Sequence, residues 1–252
     1  MGSDRAIVSP VAGTTRDAVD AQVLFEYQHN NAKYHEQILL IDTAGIRRKR
    51  TIKTTLEYYA IHRAEAALAR ASVAILLMDA AAGVTTTDKK IAALIAEAGK
   101  GCVIGVNKWD LMKKATTTRA FTAWVRDQLP FVAYAPLVFL AAQTGENVRA
   151  LVQRACGVHH ATHLRISTAL LNERMAKIFT DTPPPMLRGK RLKYYYATQV
   201  RVAPPRIVLF VNDPGRVQPA YAQYIIHQLR SMFDFAGAPV QLEWRPSEGA
   251  HR

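Results

Sequence analysis

The chain has 252 residues, 49% hydrophobic and 21% charged, which is the composition of a globular protein with enough apolar mass to fill a core. No apolar run approaches the roughly 20 residues of a membrane helix, and the first residues lack the basic-then-apolar pattern of a secretory signal, so a cytoplasmic protein with no membrane partner is expected. The net charge of +13 points to a polyanionic partner and is denser toward the C-terminus: residues 1–162 carry 20 basic and 14 acidic groups, residues 163–252 carry 13 and 6.

In chain order, four short runs are continuously apolar: 36–42 (EQILLID), 72–79 (SVAILLMD), 102–110 (CVIGVNKWD) and 135–142 (APLVFLAA). Runs of that kind suit strands buried on both faces of a parallel sheet. Between them lie helical stretches at 55–71, 86–99 and 117–129, and strand followed by helix predicts an α/β layered domain over residues 1–162. Ligands of such sheets gather at the C-terminal ends of the strands.

From His163 the rhythm changes. A helix over 166–180, capped by Ser167 or Thr168, ends before three consecutive prolines, which no helix continues. Strands at 192–200 and 206–213, a helix at 221–233 and a strand at 240–244 complete a smaller α+β domain over residues 163–252. In the run Tyr194–Tyr195–Tyr196, strand alternation puts Tyr195 opposite the other two, and most of that aromatic surface is expected in the core. His159, His160 and His163 are not expected to form a metal site, and an interdomain linker is expected there. Cys102 and Cys156 fit neither a zinc nor a disulfide spacing, as in a reducing compartment.

Two motifs carry chemistry. Asn107–Lys108–Trp109–Asp110 follows an apolar strand; a carboxylate at Asp110 can accept from both N1–H and the exocyclic amine of guanine, Asn107 can brace a neighbouring loop, and the Lys108 stem can lie over a base. Asp42–Thr43–Ala44–Gly45–Ile46 also ends a strand, where Asp42 can hold a Mg²⁺ water and the Gly45 amide can approach a terminal phosphate.

GTTRD (13–17), DTAGIRRK (42–49) and VNKWD (106–110), in that order, resemble the TrmE–Era–Der group of GTPases, and PPP…GKRLKYYYATQV…PP…VLFVNDP narrows the resemblance to the Der (EngA) family. The resemblance implies a P-loop-type G domain, the second of two in tandem, followed by a KH-like domain. It also implies GTP hydrolysis to GDP and phosphate in assembly of the large ribosomal subunit, on ribosomal RNA, by a monomer. By the same resemblance Thr15, with Thr14 as near rival, is the Mg²⁺-linked switch threonine, and Asp42 to Gly45 sense the γ-phosphate. Asn107, Lys108 and Asp110 would read guanine, aided by Ala141 and Ala142 where the family usually has Ser-Ala. Ile46 stands where many GTPases place a water-orienting glutamine, which implies assistance from K⁺; no catalytic side chain is assigned beyond Gly45 and Ile46. Lys190, Arg191, Lys193 and Arg201 are the candidates for RNA phosphates, since no Gly-x-x-Gly clamp occurs.

The 252 residues contain no G-x-x-x-x-G-K-[ST] phosphate loop. Gly99–Lys100 and Gly189–Lys190 are followed by Gly101 and Arg191, and Leu94 and Pro184 stand where the first glycine belongs. The expectation is a chain that starts inside the G domain, lacks its central strand and binds nucleotide poorly unless an upstream fragment acts in trans. The alternative function is a non-catalytic ribosome- or RNA-docking remnant.

Overall fold

The computed structural model describes residues 8–9, 20–29, 32–41, 53–187 and 189–247. Thr14, Thr15 and Asp42–Ile46 lie outside these described residues.

Among the described residues the strands form three sheets of three. In the first, β1 (Val8–Ser9) pairs antiparallel with β2 (Ala21–His29), and β2 pairs antiparallel with β3 (Ala32–Leu40) in the register Val23↔Ile38 and Tyr27↔Tyr34. The second is parallel, in the order β4 (Val73–Asp79), β5 (Gly101–Asn107), β6 (Leu137–Phe139). Among the described residues, the part of the 36–42 run that lies in β3 pairs antiparallel with β2 and does not join a parallel sheet as its apolar sequence suggests. It alternates exposed and half-buried residues because β3 packs through one face only.

On one side of the parallel sheet, α1 (Lys53–Arg70), α2 (Thr86–Glu97) and α3 (Thr118–Gln128) enclose a core containing Met78, Ile95, Ile104 and Val125. Thr85 starts α2 with a capping box: its Oγ1 accepts from Asp88 N at 3.2 Å, and Asp88 Oδ2 accepts from Thr85 N at 2.8 Å. On the other side lies α4 (Val148–His163), with Leu151 and Val158 against Val103 of β5. The helix sits this close because β5 carries glycine: a Cβ at Gly105 would lie 2.7 Å from Leu77 and 3.3 Å from Leu151.

The same helix also holds the first sheet, since Val152 and Cys156 pack against Phe25, Tyr27 and Ile38. His160 Nε2 lies 2.7 Å from the Tyr27 hydroxyl and 3.1 Å from Glu36 Oε1. The histidine segment is thus the last part of a helix clasping β2 and β3, not a linker. Burial drives the Tyr27 hydroxyl far above its ordinary pKa, and pushes the thiols of Cys102 and Cys156 up to about 12 and about 11. Burial, followed by the neighbouring His163, lowers the pKa of His159. Unfolding frees His159 to take a proton, so the stability gained by keeping it neutral is complete above about pH 6.5. That stability is withdrawn as the pH falls through the lowered folded value. Melting temperature is expected to drop between pH 7.5 and 5.5, and to drop less in His159→Gln; equal drops in the two proteins would contradict this.

The third sheet has β7 (Tyr194–Arg201) antiparallel to β8 (Arg206–Val211) and β8 parallel to β9 (Gln241–Pro246). Helices α5 (Thr168–Asp181) and α6 (Pro219–Met232) cover one face, around Leu171, Met175, Leu209, Ile225 and Phe235. Ser167 is the cap of α5, its Oγ accepting from Leu170 N at 3.4 Å. The two halves are joined by backbone: Cys102 N donates to Gly237 O at 3.0 Å, Gly237 N to Tyr134 O at 3.2 Å, and Ala203 N to Thr162 O at 2.9 Å. Arg230 lies over the Tyr134 ring at 5.2 Å.

Candidate functional site

The C-terminal ends of β4, β5 and β6 bring three loops together. Asp79 and Asn107 face each other in register across β4 and β5. Ala80 N donates to Asn107 O at 2.9 Å, which ties the backbone after β4 to the end of β5. Asn107 Oδ1 accepts from Ala142 N at 2.9 Å, so it braces the loop after β6 as its chemistry suggested. Lys113 reaches the same loop through Glu146, at 2.6 Å.

Lys108 takes a left-handed conformation, φ 58°, uncommon for a side chain with a Cβ. This turns the chain sharply out of β5 into the short 3₁₀ helix Trp109–Leu111. The Trp109 ring is buried between Phe121 and Phe139, with centroids 5.3 and 4.4 Å away, and Trp109 N donates to Leu140 O at 3.1 Å. Trp109 therefore anchors the turn from inside the core.

Lys108 Nζ pairs with Asp79, whose carboxyl is held below the usual carboxylate range by that contact, with the Ala81 and Ala82 amides assisting. Asp110, in the 3₁₀ turn, is exposed, and among the described residues no group takes its carboxylate. The arrangement leaves a rigid loop presenting one unspent carboxylate at the edge of a parallel sheet. Such a carboxylate can accept from two adjacent N–H groups of a planar ring.

Of the residues singled out in sequence, the structure gathers Asn107, Lys108, Trp109, Asp110, Ala141 and Ala142. The amides of Ala141 and Ala142 are occupied, by Glu146 O at 3.1 Å and by Asn107. The roles expected for Thr14, Thr15, Asp42, Thr43, Ala44, Gly45 and Ile46 fall outside the described residues. Asp79, Lys113 and Glu146 were not singled out in sequence; an acidic residue ending the strand beside Asn107 was the available signal for the first.

The cationic candidates divide. Lys190, Arg191 and Lys193 lie together before β7, where Asn212 accepts from Lys193 N at 2.9 Å and donates to Arg191 O at 3.2 Å. Arg201 stands at the far end of β7, roughly 25 Å away at about 3.3 Å per residue.

Family models match both halves of the chain: one described as a 50S ribosome-binding GTPase over residues 1–108, the other as the C-terminal KH-domain-like region of EngA bacterial GTPases over residues 165–245. The chain is 42% identical over 242 residues to GTPase Der of Lachnospira eligens, covering 96% of this chain and 53% of the relative. GTPase Der of Desulforudis audaxviator is 41% identical over 249 residues, 98% of this chain and 55% of the relative. The chain belongs to the Der (EngA) family of GTPases. It spans about half the length of these curated Der relatives. A crystal structure of Era, in complex with MgGDPNP and nucleotides 1506–1542 of 16S ribosomal RNA, shows a loose likeness. It is 19% identical, covers 96% of this chain and 84% of Era, and has a TM-score of 0.40.

Proposed function

We propose that this chain supplies the base-reading half of a guanine-nucleotide site, and an RNA-docking domain, to a Der-type GTPase acting in assembly of the large ribosomal subunit. One observation carries the reading: Asp110 stands exposed on a turn that the Asn107–Ala142 bond, the Lys108–Asp79 pair and the buried Trp109 hold rigid. Guanine offers N1–H and N2–H₂ to such a carboxylate; adenine has no N–H at the first position and no amine at the second. In this reading Thr15, with Thr14, and Asp42 serve Mg²⁺, and K⁺ assists beside Ile46. The absence of a helix long and apolar enough to cross a membrane, among the described residues, accords with a cytoplasmic site of action.

A polypeptide of these 252 residues by itself has no phosphate loop. Its nucleotide binding therefore rests on the base and ribose, and hydrolysis is not expected. A second reading, favoured by the basic excess of 13 over 6 acidic groups in residues 163–252, is a non-catalytic ribosome- or RNA-docking role.

Titration with GDP and ADP in Mg²⁺ and K⁺, followed by ligand-observed NMR, tests the base reader. Hydrogen bonds to a charged group are each worth about 1.5 kcal/mol or more, so GDP is expected to be preferred at least about tenfold. The preference should vanish in Asp110→Ala. Micromolar GDP binding by the wild-type chain would overturn the view that phosphate contacts are missing. Equal binding of the two nucleotides would overturn the base reader and leave the docking role.

A further inference from the structure

The outer face of the third sheet carries an aromatic pair that folding does not explain. The rings of Tyr196 and Phe210 stack with centroids 4.2 Å apart and planes 12° from parallel. Neither belongs to the core under α5 and α6, although the next residue, Ala197, is fully buried in it. Tyr196 is instead 46% exposed. The registers extend the pair into a row across all three strands, Tyr196 opposite Phe210 and Phe210 opposite Arg245. A bulge between Tyr194 and Tyr196 breaks the alternation, and Tyr195 is 45% exposed as well. The expectation that most of this tyrosine run is core therefore holds only for Tyr194, which stacks on Phe179 at 4.6 Å.

The charge around the pair is positive. Lys193 and Arg191 are exposed where the chain enters β7, strapped to the residue that follows β8. Glu243, the acidic neighbour on β9, is already paired with Arg245 at 2.7 Å. A stacked pair with Tyr196 exposed, Phe210 half-buried and cations at its margin fits a ligand that is flat, apolar on its faces and polyanionic along its backbone.

We propose that this sheet face is a stacking platform for unpaired bases of single-stranded RNA, with Lys193 and Arg191 meeting the phosphates. It rests on the RNA-docking role assigned above to the C-terminal half. With no Gly-x-x-Gly in the chain to clamp a backbone, affinity comes from stacking and phosphate contacts, so binding is sequence-tolerant and salt-dependent. An acidic protein could satisfy the cations but would leave the stacked pair unused.

The test is fluorescence anisotropy of the whole 252-residue chain with labelled oligouridine of about 12 nucleotides, and with duplex RNA of the same length. Oligouridine is expected to bind more tightly than the duplex. Tyr196→Ala should weaken it about tenfold or more, Tyr196→Phe should bind as wild type, and Lys193→Gln should lower the salt slope by about one. If Tyr196→Ala melts early, Phe210→Leu repeats the test with the side-chain volume kept. RNA binding that survives loss of either ring, or a duplex bound as tightly, overturns the platform and leaves RNA docking standing. No RNA binding by the wild-type chain at low salt overturns both.

Discussion

A chain extended at its N-terminus by an apolar strand ending in G-x-x-x-x-G-K-[ST], taken from a Der relative, is expected to bind GDP at least about 10³-fold more tightly than the 252 residues alone. The loop would add backbone amides and a lysine aimed at the phosphates, and three charge-assisted contacts of about 1.5–3 kcal/mol each amount to roughly 4.5–9 kcal/mol. The fold has a seat for such a strand. Among the described residues β3 pairs only with β2, and β4 only with β5, while α4 packs against both sheets. Apolar side chains stand uncovered there: Leu77 of β4 is 51% exposed, and an apolar cavity of about 280 Å³ lies between Phe25, Ile38 and Leu40 of the first sheet and Val148 and Val152 of α4. Open apolar edges like these favour strand addition. Calorimetry on the two proteins reads the gain, and Asp110→Ala should weaken both by a similar factor. An extended chain that folds yet binds no better would show that the base reader and the seat do not belong to one site.

Gly237→Ala is expected to destabilise the protein by about 2–5 kcal/mol, a fall in melting temperature of roughly 5–15 °C. Gly237 sits at φ +75°, and its amide and carbonyl bond to Tyr134 and Cys102 across the junction between the two halves. A Cβ there would lie 2.3 Å from Val158 and 2.9 Å from the Cys102 carbonyl, neither of which can retreat, because Val158 is itself buried against β5. Gly189 is the control. It has a similar φ, +71°, with nothing within 4 Å of the added Cβ, so Gly189→Ala should show only the backbone cost, about 1–2 kcal/mol. Equal losses in the two variants would mean that the junction is looser than its hydrogen bonds indicate.

Local grammar made much of this protein legible. The run ending in Asn107 reads as a buried strand because all six residues before it are apolar or glycine, and those six are buried in β5. Ser167 caps α5 because a hydroxyl beside the first free amides suffices, whatever lies beyond. The Asn107–Ala142 bond was foreseeable in kind, since an asparagine at a strand end has a neighbouring loop within reach. These features depend on a few consecutive residues and their periodicity.

What the tertiary structure alone decided are pairings between distant segments. Whether β3 lies parallel or antiparallel depends on β2, whose polar-alternating sequence announces no partner. The histidines at 159–163 became a clasp only when α4 met Tyr27 and Glu36, more than a hundred residues earlier. Asp79 holds Lys108 because parallel registry sets the ends of β4 and β5 side by side. Tyr195 faces solvent because β7 carries one residue more than β8 between adjacent rungs, an offset that exists only once the two strands are paired. Periodicity along the chain tells a strand from a helix and an inner face from an outer one; register between chains of residues far apart is set by packing, and the candidate site and the aromatic face were both made there.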